Sequence, residues 1–200
     1  MKLCVYCGTF NPIHNVHLAV ANYTRTHFDF DNILFIPAYK PPHKEIDDDL
    51  ANHRYNMVKL AIQGVPKFNI SNIEYRNEKY SYTYNTIKEL YNMYPSIEGK
   101  INFIIGTDAF KEVRNWYMAD KLKDMLKFIV FPREEKVKIE RYDSFKSQGY
   151  DFVFAEMPYI NLSSTVLRSR IGNNKPIGTL VPKQVFEYIN KHGLYKDENA

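Results

Sequence analysis

Short apolar runs alternate along this chain with helix-length segments, and few folds accommodate that alternation. Residues 3–6, 32–37, 67–71, 101–105, 128–131 and 152–155 are strand-length stretches rich in β-branched and aromatic side chains. Between them the hydrophobic period lengthens. Val16, Ala19, Val20, Tyr23 and His27 recur at helical spacing from a start near His14 or Asn15. Tyr55, Val58, Leu60, Ala61 and Ile62 do so over 49–63, with Asp48 or Asp49 as cap and Gly64 as the stop. Ile87, Leu90, Tyr91 and Tyr94 follow a start capped by Ser81 or Thr83, with Pro95 beyond the end. A helical region over 109–125, a short helix from Ser163 or Ser164 and a last helix from Pro182 to His192-Gly193 complete the pattern; 133–149 is charged and shows no regular period. Apolar strands separated by helices need parallel crossovers. The expected class is α/β, a doubly wound, mainly parallel sheet with helices on both faces. Such a sheet binds ligands beyond the carboxyl ends of its strands, where the strand order reverses.

The chain's size allows one such sheet. Its 200 residues, 44% hydrophobic and 15% aromatic, supply one core, and no repeat or linker divides them. Residues 1–200 are therefore read as a single domain that includes the helix start at 163–168 and the C-terminal helix. A net charge of +4, from 27 basic and 23 acidic residues spread along the chain, suits small anionic ligands and gives no block of charge for a nucleic acid polymer. The apolar run after Met1 and Lys2 is too short for a secretory segment and no stretch approaches a membrane span, so a cytoplasmic protein with no membrane contact is expected. Cys4 and Cys7 have CxxC spacing, but residues three apart in a strand point to opposite faces and no second pair completes a zinc set, so they are read as buried thiols. Nothing in the sequence specifies an oligomeric state.

Candidate chemistry gathers at three loops, each following a strand. In Cys7-Gly8-Thr9-Phe10-Asn11-Pro12-Ile13-His14-Asn15-Val16-His17, Gly8 lets backbone approach a ligand, and the following helix turns its unpaired N–H groups and positive dipole end to the loop. His14 and His17, three apart, share a face from which imidazole N–H groups can donate to phosphate; no Cys, Asp or Glu in the next turns completes a metal set. Pro41-Pro42-His43-Lys44 is a second loop, stiffened by its prolines so as to aim the point charge of Lys44, unless it is simply a solvated basic loop. At Ser163-Ser164-Thr165-Val166-Leu167-Arg168, hydroxyls at a helix start precede an arginine one turn on, a set suited to a second anion; capping explains one serine.

The first of these stretches resembles the signature of the nucleotidyltransferase superfamily, a Gly-Thr-Phe-Asp-Pro turn followed by His-x-Gly-His, with Cys7, Asn11 and Val16 standing where the family has glycine, aspartate and glycine. Most of the chain is similar to the bacterial nicotinate-nucleotide adenylyltransferases. Pro41-Pro42-His43-Lys44, Arg54 with Met57 and Ala61, Ser81-Tyr82-Thr83-Tyr84-Asn85-Thr86, Ile104-Ile105-Gly106-Thr107-Asp108, Trp116-Tyr117, the 163–168 stretch and Gly193-Leu194-Tyr195 stand in that family's order, and Pro132-Arg133 looks like an inverted form of its Arg-Pro pair. The resemblance implies a Rossmann-like fold and transfer of the adenylyl group of ATP to nicotinate mononucleotide, with release of pyrophosphate. Gly8, Thr9 and Phe10 would cradle ATP, with His14 and His17 on its phosphates and Ser163, Ser164, Thr165 and Arg168 on the β and γ groups. Lys44 would neutralise phosphate, and Thr83, Tyr84, Asp108, Trp116 and Arg133 would receive the mononucleotide. Mg²⁺ is expected to enter with ATP, bridging phosphates and keeping mostly water ligands, so no protein metal site is implied. Two other readings stay open: a phosphopantetheine adenylyltransferase-like enzyme, and a nucleotide-binding regulator in which Val16 has weakened catalysis.

Overall fold

The structure is a computed structural model that describes residues 1–42, 49–76, 80–97 and 99–196. Six strands form one parallel sheet: β1 (Leu3–Gly8), β2 (Asn32–Pro37), β3 (Phe68–Ile70), β4 (Ile101–Gly106), β5 (Leu126–Phe131) and β6 (Asp151–Phe154). Their order is β3-β2-β1-β4-β5-β6, so the sheet grows outward in both directions from β1 and the order reverses between β1 and β4. Crevices open at the carboxyl ends of strands at such a reversal.

Side-chain alternation along β1 builds both halves of the core. Cys4 and Tyr6 point to the face covered by α1 (Asn15–His27), α2 (Asp49–Ile62), α7 (Ser164–Gly172) and α8 (Lys183–His192). Leu3 and Val5 point to the face covered by α3 (Thr83–Met93), α4 (Thr107–Lys111), α5 (Ala119–Met125) and α6 (Asp143–Ser147). Residues such as Ile33, Phe35, Phe103 and Phe128 are almost wholly buried, and each such side chain contributes about 1.5–3 kcal/mol. The cysteines are free thiols; Cys4 is buried on one face of the sheet, whereas Cys7, against the other, is only partly buried and lines the cleft at the end of β1. Burial pushes both thiols well above their usual value.

Two local expectations need correction, and one stretch that the sequence left open takes shape. The helical region expected over 109–125 is broken: α4 ends at Lys111, a 3-10 turn covers Val113–Asn115, and α5 begins only at Ala119. Trp116 is extended and Met118 left-handed (φ 58°), because burying Val113 and setting Trp116 edge-on to Phe103 at 6.1 Å outweighs helical propensity. Ser81 and Thr83 do not cap α3, whose cap residue Tyr82 makes no side-chain cap; the Ser81 hydroxyl instead accepts the N–H groups of Tyr39 and Lys40 at 3.0 and 3.1 Å. The stretch without regular period folds into a 3-10 turn (Ile139–Tyr142) and α6, pinned by stacking of Tyr142 and Phe145 on Phe110.

Candidate active site

The carboxyl ends of β1 and β4 open into a cleft of about 1430 Å³, larger than the roughly 300–1,000 Å³ of a single small-molecule site. The β1 turn forms its floor. Gly8 must be glycine or shift its neighbour, since a β-carbon there would lie 3.0 Å from the Phe10 ring. Phe10, left-handed at φ 49°, tucks that ring edge-on to Tyr6 and His17. Carbonyls along the turn are tied back by donors from elsewhere. Gly8 accepts from the Ala38 N–H at 2.8 Å, Thr9 from Arg54 at 2.9 Å, Asn11 from Arg168 at 2.9 Å and Pro12 from the Ser164 hydroxyl at 2.9 Å. A donor on each of these carbonyls offsets part of its repulsion of an anion in the cleft.

At the head of α1, His14 and His17 stack with ring centroids 3.7 Å apart, and both are buried. Burial, followed by the positive charge of Arg133, lowers the His14 pKa to about 3; burial, then His14 and Arg133, holds His17 well below its usual value. Both rings are therefore neutral. The His14 backbone N–H donates to His17 Nδ1 at 3.2 Å, so the single ring proton of His17 sits on Nε2 and is available as a donor. Both ring nitrogens of His14 are buried without a hydrogen-bond partner among the described residues. The helix end itself offers less than expected, because the Asn15 N–H is taken by Leu180 O at 3.0 Å. Val16 is buried and lines the cleft beside them.

The α7 stretch lines the cleft as expected, but its side chains are already employed. Ser163 is the helix cap, accepting from the Val166 N–H at 3.3 Å, and Thr165 accepts from Arg168 at 3.4 Å, while Ser164 and Arg168 hold the β1 turn. Across the cleft, Gly106 leaves room for two side chains at the end of β4. A β-carbon there would fall 2.5 Å from Asp108 Oδ1 and 2.9 Å from Arg133 Cγ. Thr83, Asp108, Trp116 and Arg133 all line the cleft. Tyr84 does not appear among the lining residues; it packs against Tyr117 with the Lys121 ammonium 5.9 Å from its ring. Lys44 lies outside the described residues. Among the described residues no group of three or more His, Cys, Asp or Glu could hold a metal ion.

Three residues beside the cleft stand outside the expected site residues, although Arg54 and Tyr195 lie in stretches that carry the family resemblance. Arg54 is fully buried in the apolar stripe of α2 formed by Ala51, Met57, Val58 and Ala61, and a charge in such a stripe was the signal available in the sequence. Glu74, in the 3-10 turn Ile73–Tyr75, lines the cleft with no motif to mark it. The Tyr195 hydroxyl donates to Asn11 Oδ1 at 2.6 Å, so the last described turn of the chain holds the first.

A cytidylyltransferase-like family model matches residues 5–170. The nicotinate-nucleotide adenylyltransferase of Bacillus subtilis is 35% identical over 196 residues, spanning 98% of this chain and 98% of that protein. A protein of Caldicellulosiruptor saccharolyticus named "Probable nicotinate-nucleotide adenylyltransferase" is 38% identical over 201 residues, 98% of this chain and 100% of that protein. The solved structure of Plasmodium falciparum nicotinic acid mononucleotide adenylyltransferase complexed with NaAD shares the fold, with a TM-score of 0.80 at 20% identity over 96% of each chain.

Proposed function

The chain belongs to the nicotinate-nucleotide adenylyltransferase family, and from that membership we infer that it transfers the adenylyl group of ATP to nicotinate mononucleotide, giving nicotinate adenine dinucleotide and pyrophosphate in NAD biosynthesis. A phosphate oxygen of the mononucleotide attacks the α-phosphorus of ATP. The new P–O bond forms in line with the bond that breaks, and pyrophosphate departs with the electron pair. No protein nucleophile is needed, so the site has to align two polyanions and stabilise the charge that leaves.

The observation that carries this reading is the stacked neutral histidine pair on a turn whose neighbouring carbonyls are occupied. In our assignment, His17 donates from Nε2 to the phosphate charge that develops in the transition state, and His14 donates beside it. Gly8, Thr9 and Phe10 cradle the triphosphate. The α7 start borders its β and γ groups, Ser163 capping the helix while Ser164 and Arg168 keep the turn in place. Lys44 supplies a further positive charge from the second loop. Trp116 offers a face to the pyridine, Thr83 a hydroxyl to its carboxylate, and Asp108 an acceptor for ribose hydroxyls. Arg133 raises the potential near the histidines, and Val16 forms an apolar wall for adenine or ribose. Enzymes of this class use a divalent metal with the nucleotide; we take it to be Mg²⁺, which when bound to the ATP phosphates neutralises part of their charge.

Pyrophosphate release from ATP and Mg²⁺ with each mononucleotide tests this reading. Release with nicotinate mononucleotide and much less with the nicotinamide form is expected. Equal rates would remove the carboxylate specificity, and activity with phosphopantetheine alone would overturn the substrate assignment.

A further inference from the structure

A fully buried arginine ties together loops that carry different parts of the cleft. The Arg54 guanidinium donates to the carbonyl of Thr9 in the β1 turn at 2.9 Å and to those of Ala38 and Tyr39 after β2, the latter at 2.8 Å. The second of these loops is bound in turn to the start of α3, where Ser81 Oγ accepts the N–H groups of Tyr39 and Lys40 and the Ser81 N–H donates to Lys40 O at 2.9 Å. Glu74 borders the array from the other side: its Oε1 accepts from the Thr86 hydroxyl at 2.7 Å, its Oε2 is buried without a hydrogen-bond partner among the described residues, and the charge of Arg54 acts on its carboxylate. One continuous set of bonds thus runs from the turn assigned to ATP to the Thr83 end of α3 assigned to the mononucleotide.

We propose that Arg54 and Glu74 are positioning residues that set the spacing between the two nucleotide subsites, so that they govern turnover more than the binding of either nucleotide. This rests on the reading of the cleft given above. Each subsite makes its own contacts from its own loop, but in-line displacement needs the attacking oxygen about 3–3.5 Å from phosphorus, and a misplacement of about 1 Å from a remote change can cost roughly a hundredfold. A guanidinium is suited to the task because its planar fork of donors fixes several carbonyls at once, whereas an ammonium cannot span them.

The test uses Arg54→Lys, Glu74→Gln and the milder Thr86→Val in the full chain. Titration of each nucleotide separately should give dissociation constants within about threefold of the wild type, while kcat falls roughly a hundredfold for Arg54→Lys and about tenfold for the other two. Amide exchange at Ala38, whose N–H binds Gly8 O across the two loops, should quicken at least about tenfold in Arg54→Lys with core strands unchanged. Unaltered kcat and exchange in the variants would overturn the proposal. So would weakening of each nucleotide's binding in step with kcat, since that is what simple loosening of the subsites gives. If Arg54→Lys does not fold, the same readings on Thr86→Val decide. An inactive wild type would instead sink the functional reading, and exchange would still judge the brace.

Discussion

A neutral histidine can serve phosphate chemistry only through the one proton it carries, and at His17 that proton is committed to Nε2 by the His14 backbone N–H on Nδ1. A donor aimed at charge that develops in the transition state is typically worth ~3 kcal/mol. His17→Ala should therefore lower kcat roughly a hundredfold with the KM for ATP within a few-fold; steady-state kinetics showing a raised KM and intact kcat would make it a ground-state ligand. Val16 is stiff at χ1 and buried at the cleft wall. With a pocket adapted to it, wild-type turnover is ordinary and Val16→Gly leaves it unchanged or impaired, whereas an inactive wild type awakened by glycine would mean that valine obstructs the nucleotide. Tyr195→Phe leaves the buried acceptor of Asn11 unpaired, which costs about 1–3 kcal/mol in urea denaturation; no loss would mean that water replaces the hydroxyl.

Among elements, α7 gains in the structure bonds that its sequence did not announce. Its hydroxyls and arginine look like an anion site, yet Ser163 caps the helix and Ser164 and Arg168 brace the β1 turn. Ser163→Ala should cost about 1 kcal/mol of stability, and Ser163→Gly only a few tenths, as measured by thermal melting. Comparable losses from the two would argue against a capping role. The break between α4 and α5 leaves Trp116 in extended backbone at the cleft, beside the buried Val113.

At the scale of the molecule, the buried histidines couple stability to pH. Their folded pKa values lie below the ~6.5 of an unfolded chain, so the unfolded state takes up protons first as pH falls. Stability from this source is complete above pH ~6.5 and drains away as pH falls toward the folded value, about 3 for His14, at up to about 1.4 kcal/mol per pH unit for each ring. The raised carboxyl of Glu74 acts in the opposite sense, so the comparison is with His14→Gln. Urea denaturation between pH 7.5 and 5 should show a steeper loss for the wild type than for that variant, and parallel curves would refute the coupling. No described helix is long and apolar enough to cross a membrane.

The sequence by itself determined the class, the strands and their two-faced burial, because hydrophobic period is a local property that survives without knowledge of partners. It also determined the histidine pair, whose members sit together in one turn, and the family, whose matching stretches stand in order along the chain. Where strands line up is not local: the order that puts β1 beside β4, and so brings Gly106, Asp108 and Arg133 over the β1 turn, exists only in the assembled sheet. The same holds for Arg54, Glu74 and Tyr195. Their partners lie far off in the chain, and a hydrogen bond across 184 residues leaves no periodic trace. Tertiary structure alone decided that the Ser164 hydroxyl and the guanidinium groups of Arg168 and Arg54 fasten the turn, because a donor's partner is fixed by what folding brings within about 3 Å.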